Sequence, residues 1–148
     1  MKHANTVLHQ LLKLVPRHRF EEVVQRYEGN RRVRHLSCWT QFCVMLYAQL
    51  CSRQSLRDVV SAWESHGAMH YHHGVRQVKR STLADANASR PTGMYLELFY
   101  WLLGQARGQG INRTDAVRLI DSTTIDLCKQ QFAWAHFRSG KAGVKMHT

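Results

Sequence analysis

Acidic residues are scarce in this sequence. Only 10 Asp and Glu residues stand against 21 Lys and Arg residues, so the 148-residue chain has a formal net charge of +11. The basic residues are spread along the chain rather than collected in a tail. A basic folded surface attracts polyanions, so nucleic acid is the first expected partner and an anionic membrane surface a weaker one. A basic protein without any polyanion partner is the remaining alternative.

Paired cysteines and long apolar runs are also missing. None of the four cysteines, Cys38, Cys43, Cys51 and Cys128, forms the C-x2-C pair of a zinc ribbon. No run of about eighteen apolar residues could span a bilayer. Polar residues interrupt the first segment, 1–15, so no signal peptide is expected. These absences predict a protein of a reducing, cytoplasmic compartment that has no membrane partner.

Helical periodicity fills the first three quarters of the sequence. Apolar residues make up 44% of the chain, which is enough for a core. The expected helices cover residues 7–15, 20–27, 36–51, 56–63, 81–90 and 95–106. The helix over 36–51 is apolar nearly all round, which predicts a central position in the bundle. The fold class is therefore mainly α, with a helical and DNA-binding domain over residues 1–110.

Residues at the helix ends predict where several of these helices begin and stop. Asn5 or Thr6, Ser55, and Ser81 or Thr82 are the expected N-caps. Three glycines, Gly104, Gly108 and Gly110, are expected to close the last helix. Its apolar stripe is Tyr95, Leu98, Phe99, Leu102, Leu103 and Ala106.

Two groups of cations are candidates for contacts with DNA. Arg31, Arg32 and Arg34 lie in a connector that could follow a phosphate backbone, although a solvated loop explains them equally well. Arg76, Lys79 and Arg80 precede the helix of small residues over 81–90, which could approach a duplex closely. The connector of roughly fifteen residues is too long for a helix-turn-helix motif, so the prediction is a DNA-facing helical element only.

Four histidines fall within eight residues, at His66, His70, His72 and His73. Clustered imidazoles can bind a metal ion, but no cysteine or carboxylate lies among them. We therefore prefer to interpret them as loop histidines of a basic protein. A histidine-rich metal-binding protein remains the alternative.

An extended, β-branched pattern begins after the glycines, and Asp121 lies near its centre. The run over 117–126 is typical of a buried strand, and the segment 143–148 could be a second strand. A lone carboxylate on a buried strand needs a partner, a hydrogen bond or a metal ion. Asp121 could therefore act in catalysis or metal binding, or cap the strand end. Asp126 would lie on the opposite face.

Several segments resemble IS4-type insertion-sequence transposases. Residues 119–127 (LIDSTTIDL), 132–135 (FAWA) and 141–148 (KAGVKMHT) resemble the opening of the catalytic domain in these bacterial proteins. Residues 8–12 (LHQLL) and 81–87 (STLADAN) are similar to the domain of unknown function that precedes it. The resemblance covers almost the whole chain. It implies DNA transposition in bacteria, with a cytoplasmic, nucleoid-associated location.

The resemblance also implies a fold and a chemistry. The helical bundle would be followed, over residues 111–148, by the first strands of an incomplete ribonuclease-H-like α/β domain. In the intact family site three acids bind two Mg²⁺ ions for strand cleavage and transfer. Asp121 matches the first acid, and Lys145 and His147 match a basic stretch that could touch DNA.

The sequence departs from the family because it contains no match to the second Asp or to the Glu. We therefore expect an N-terminal fragment that binds no Mg²⁺ and cleaves no DNA alone. Its first expected partner is the terminal-repeat DNA of the element. A second copy of itself or a full-length transposase is a further candidate partner. The alternative is a non-catalytic DNA-binding module or an inhibitor of a full-length transposase.

Overall fold

Seven helices make up the first part of the chain. The computed structural model describes residues 6–53, 55–108, 122–127, 136–138 and 141–147. It divides the chain into two units, Met1–Gln109 and Gly110–Thr148. The helices are α1 (Val7–Lys13), α2 (Arg17–Arg26), α3 (Cys38–Leu50), α4 (Leu56–Glu64), α5 (Gly67–His70), α6 (Arg80–Ser89) and α7 (Gly93–Gly108). The mainly α prediction is confirmed for this part of the chain.

Helix α3 is the centre of the first unit, as its nearly uniform apolar sequence predicts. It contacts α1, α2 and α4, and eight of its residues are buried. At one side of α3, the Phe20 ring packs 5.3 Å from Trp39 and 5.2 Å from Phe42 between ring centroids. Further along the helix, Tyr47 meets Trp63 edge-on at 5.4 Å. These tilted and edge-on pairs join the helices that flank α3.

Two of the expected N-caps are confirmed and one is wrong. Thr6 accepts a hydrogen bond from the His9 N–H, and Ser55 accepts one from the Asp58 N–H. Helix α6 instead begins one residue before Ser81, after an N-cap at Lys79 that makes no side-chain capping bond. The first turn is set by the backbone bond from the Leu83 N–H to the Lys79 carbonyl, 3.0 Å long. Ser81 and Thr82 therefore lie inside the helix, beyond the capping position.

Helix α7 extends beyond Gly104, and its predicted apolar stripe is confirmed in part. Gly104 lies within the helix, which continues to Gly108, so Gly104 does not close it. A glycine inside a helix costs only about 1 kcal/mol relative to alanine, which a packed helix tolerates. The predicted stripe is confirmed at Leu98, which is buried, and at Tyr95 and Leu102, which pack partly buried against the core. It is wrong at Phe99, which is 57% exposed.

The second unit contains a three-stranded antiparallel sheet in its described residues. The strands are β1 (Ser122–Leu127), β2 (His136–Arg138) and β3 (Lys141–His147), in the order β1-β3-β2. Ser122 pairs with His147 and Thr124 pairs with Lys145. The prediction of two strands was therefore one strand short. Asp121 and the rest of 117–121 lie outside the described residues, and the ribonuclease-H-like topology stays a prediction.

Candidate nucleic-acid interface

The connector after α2 is a tight turn that exposes its cations. Glu28 and Arg32 adopt left-handed backbone angles, with φ of 50° and 58°. The Asn30 side chain accepts a hydrogen bond of 2.8 Å from the Cys38 N–H, which ties the turn to the start of α3. The four cationic or titratable side chains of the turn, Arg31, Arg32, Arg34 and His35, are all exposed. The Asn30 side chain thus ties the turn to α3, while these four side chains are exposed.

The first hollow, here called the α6 hollow, lies between this turn and α6. Its volume is about 520 Å³, and Arg31, Arg32 and Arg34 line it from the turn. Helix α6 contributes Thr82, Asp85 and Ser89, whose short side chains leave the helix surface accessible. Two acids also line the hollow, but Glu28 is paired with Arg31 at 2.7 Å, so Asp85 is the acid left facing Arg32 and Arg34.

A second hollow, the central hollow, adjoins the first and contains two further predicted cations. Its volume is about 1010 Å³, and it shares His35, Leu36 and Thr82 with the α6 hollow. Arg76 and Lys79 line it, and both are exposed. The structure therefore brings the two predicted cation groups, which lie more than forty residues apart in sequence, to adjoining hollows. Arg80 is exposed at the start of α6 but does not line either hollow.

The third hollow, the histidine hollow, contains cations that the sequence analysis missed. It measures about 410 Å³ and is lined by Lys13, Arg17 and His9, among others. Arg17 lies over the Trp39 ring, 5.5 Å from its centroid, and also pairs with Glu21 at 2.9 Å. Tyr71 lines both this hollow and the central hollow. We call the three adjoining hollows the basic trough.

A partly buried polar network lies at the wall of the α6 hollow. Arg90 donates to the Gln41 Oε1 atom at 2.6 Å and to the Leu36 carbonyl. The Tyr95 hydroxyl donates to the same Gln41 oxygen at 3.0 Å, and Gln41 donates to Asn87 at 2.6 Å. Burial raises the pKa of Tyr95 to about 12, so its hydroxyl remains a donor. The signal in the sequence was Gln41, a polar residue early in an apolar helix.

The histidine cluster is divided between core and surface, so the interpretation as loop histidines is wrong in part. His70 ends α5, is buried, stacks on Trp63 at 4.7 Å and donates from Nε2 to the Trp63 carbonyl at 2.9 Å. His73 is buried too, and burial lowers its pKa. His66 and His72 are exposed. No group of three metal-ligating side chains occurs among the residues that the structure describes.

The predicted site residues of the second unit are only partly described. Lys145 and His147 lie in β3, paired with Thr124 and Ser122 of β1. Asp121, the predicted catalytic and metal-binding residue, lies outside the described residues. Within the described part of the chain, no helix has the length and apolar character needed to cross a membrane.

A helical unit whose exposed arginines and lysines line adjoining hollows belongs to the class of small basic helical domains. The family is given by residues 3–76, which match "Domain of unknown function (DUF4372)", and the chain belongs to that family.

A relative gives the wider context. Over 66 residues the chain is 46% identical to "Putative transposase y4zB" from Sinorhizobium fredii (strain NBRC 101917 / NGR234). This match spans 44% of the chain but only 18% of the relative's length. No solved structure matches the chain. The chain thus matches less than a fifth of the length of this relative, and the IS4 type stays a prediction.

Proposed function

We propose that the helical unit is the DNA-binding part of an IS4-type transposase and that the basic trough is its DNA-binding surface. The observation that carries this proposal is the convergence of cations from separate parts of the sequence. Arg34 of the turn, Arg76 before α6 and Lys13 of α1 line adjoining hollows with exposed or accessible side chains. Cations arranged along a surface can neutralise successive phosphates of DNA. The counterions that were bound to those phosphates are then released, and this release drives binding.

Helix α6 suits the part of this surface that approaches the bases. Thr82, Asp85 and Ser89 line the α6 hollow with short polar side chains, and the arginines stand opposite them on the turn. Phosphate contacts by arginine position a protein on DNA, whereas polar side chains of a helix can read base edges. Asp85 has the acceptor that a cytosine amino group requires. The relative named as a transposase supports DNA as the polyanion.

The test compares two double variants in a fluorescence anisotropy titration of a labelled DNA duplex. Arg34→Ala/Arg76→Ala removes one exposed cation from each of two hollows. Arg53→Ala/Arg57→Ala removes two exposed cations that line none of the three hollows, with the same loss of charge. We expect the first variant to bind roughly tenfold or more weakly than the second at physiological salt. Equal weakening by both variants would refute the trough as the binding surface.

The catalytic part of the proposal is limited by the available ligands. Asp121 is proposed as the first Mg²⁺ ligand of the intact family site, and Lys145 and His147 are proposed as DNA contacts. The residues present do not fit a pair of Mg²⁺ ions, because such ions need several convergent oxygen ligands and only Asp121 matches the family's acids.

The 148-residue protein should therefore leave DNA intact. Incubated with Mg²⁺ and DNA that carries terminal repeats, it should bind without nicking. Nicking that is lost in Asp121→Asn would contradict this expectation. The alternative function is a non-catalytic DNA-binding module or an inhibitor of a full-length transposase. A full-length transposase whose strand cleavage falls on addition of this chain, but not of Arg34→Ala/Arg76→Ala, would favour that alternative.

A further inference from the structure

We propose that Tyr71 is a base-stacking residue, which takes an unpaired or unstacked DNA base at the junction of two hollows of the basic trough. The inference rests on the proposed DNA-binding function and adds a substrate class to it, namely DNA with a locally distorted or single-stranded step. Tyr71 is unusually exposed for an aromatic residue. It is 88% exposed, more than any other large hydrophobic residue in the described part of the chain.

The turn that presents Tyr71 is fixed by its own backbone. The Gly74 N–H donates to the Tyr71 carbonyl at 3.1 Å, and the Val75 N–H donates to the His70 carbonyl at 3.0 Å. Gly74 has a φ of +62°, and a Cβ atom there would lie 2.4 Å from the Arg17 Nη1 atom. Only glycine adopts this backbone freely, and it lets Arg17 lie directly against the turn.

The residues on either side of the exposed tip are anchored in the core. His70 is 7% exposed and stacks on Trp63. His73 is 9% exposed, and its carbonyl accepts a 2.9 Å hydrogen bond from the Trp39 Nε1–H. The tip therefore projects from two buried supports. Because the backbone at this tip is held and a tyrosine has only two χ angles to order, binding a flat partner costs little conformational freedom.

The position of Tyr71 gives the partner's chemistry. On one side, in the central hollow, lie Arg76 and Lys79, and on the other, in the histidine hollow, lie Lys13 and Arg17. A strand that follows these cations with its phosphates brings its bases to the tyrosine ring. Alternating cations and exposed aromatic rings are how proteins bind single-stranded or unstacked nucleic acid, because every base has a face that can stack. An intact duplex offers no such face along its length.

The test uses the whole 148-residue protein and three DNAs of one sequence. These are a perfect duplex, a duplex with one unpaired 2-aminopurine, and the single strand. We expect the wild type to prefer the second and third DNAs. Tyr71→Ala should lose about tenfold in affinity for them and little for the perfect duplex. Tyr71→Phe should retain the preference, because the ring and not the hydroxyl makes the contact.

Two further readings separate stacking from a structural effect. The fluorescence of 2-aminopurine should be quenched on binding to the wild type and to Tyr71→Phe, but not to Tyr71→Ala. Tyr100→Ala, which removes another exposed tyrosine from α7, should change neither affinity nor quenching. Both alanine variants should keep the wild-type melting temperature.

The outcomes distinguish this inference from the proposed function. Base stacking is refuted if Tyr71→Ala binds all three DNAs with the wild-type affinity. It is also refuted if the variant loses affinity for all three by the same factor. The proposed function then stands as long as Arg34→Ala/Arg76→Ala still binds DNA more weakly than its control. If the wild type binds none of the DNAs, both the function and the inference are overturned.

Discussion

Replacement of Arg90 tests the network that holds the basic turn against the bundle. Arg90 donates to the Gln41 Oε1 atom and to the carbonyl of Leu36. Leu36 is the last residue before Ser37, the N-cap of α3. Gln41 is 3% exposed and Leu36 is 4% exposed, so water reaches neither acceptor readily. In Arg90→Ala both acceptors lose a charged donor. The Gln41 Oε1 atom then keeps only the hydrogen bond from the Tyr95 hydroxyl.

The magnitude follows from the two lost bonds. A hydrogen bond to a charged group contributes about 1.5–3 kcal/mol, and an unsatisfied buried acceptor costs about 1–3 kcal/mol. Arg90 itself is only partly buried, so water compensates some of this loss. We expect the free energy of unfolding to fall by about 2–3 kcal/mol. For a unit of this size, that lowers the melting temperature by roughly 8–24 °C.

Urea unfolding followed by tryptophan fluorescence measures this change, because Trp39 and Trp63 are buried in the same unit. Arg90→Lys keeps the charge, but a lysine lacks the planar guanidinium group that donates to both acceptors. This variant should therefore recover less than half of the lost stability. Arg57→Ala, at an exposed position of α4, should remain within about 0.5 kcal/mol of the wild type. An Arg90→Ala protein as stable as Arg57→Ala would refute the structural role of the network.

Two predictions concern titrating groups. Because burial lowers the pKa of His73, the folded state disfavours the proton that the unfolded state binds below the ordinary value of 6.5. The free energy of unfolding should therefore fall as the pH drops below 6.5, and less steeply in His73→Gln; identical pH profiles in urea titrations would contradict this. Burial raises the pKa of Cys43 to about 12, whereas Cys51 is exposed, so a thiol reagent at neutral pH should modify Cys51 quickly and Cys43 only on unfolding. Mass spectrometry of the modified sites measures this order, and equal rates at the two cysteines would contradict the burial of Cys43.

Local patterns predicted the helices well because their signals lie within a few residues. The uniformly apolar segment of α3 indicated its central place, and Thr6 and Ser55 marked helix starts through capping bonds to nearby N–H groups. The predicted start of α6 was wrong because the first turn forms where the segment before the helix ends. That segment is anchored by the buried residues Val75 and Val78. No residue next to Ser81 carries that information.

The candidate site was predictable only in part because it depends on contacts that are distant in sequence. Arg34 and Arg76 were predicted from their basic neighbourhoods. Their common surface arises from shared walls at Leu36 and Thr82, which no local pattern specifies. Lys13 and Arg17 look like ordinary helix-end cations until the 71–74 turn packs against them. The burial of His70 likewise depends on Trp63, which the sequence does not connect to it.

The salt dependence of DNA binding tests the central claim most directly. The logarithm of the association constant should fall linearly with the logarithm of the salt concentration, with a slope of about −0.9 for each phosphate that the trough neutralises. Arg34→Ala/Arg76→Ala should reduce the magnitude of that slope by about 2 relative to the wild type, because each cation accounts for about one phosphate contact. Arg53→Ala/Arg57→Ala should leave the slope unchanged. Equal slopes for all three proteins, or binding that does not respond to salt, would contradict a phosphate-binding trough.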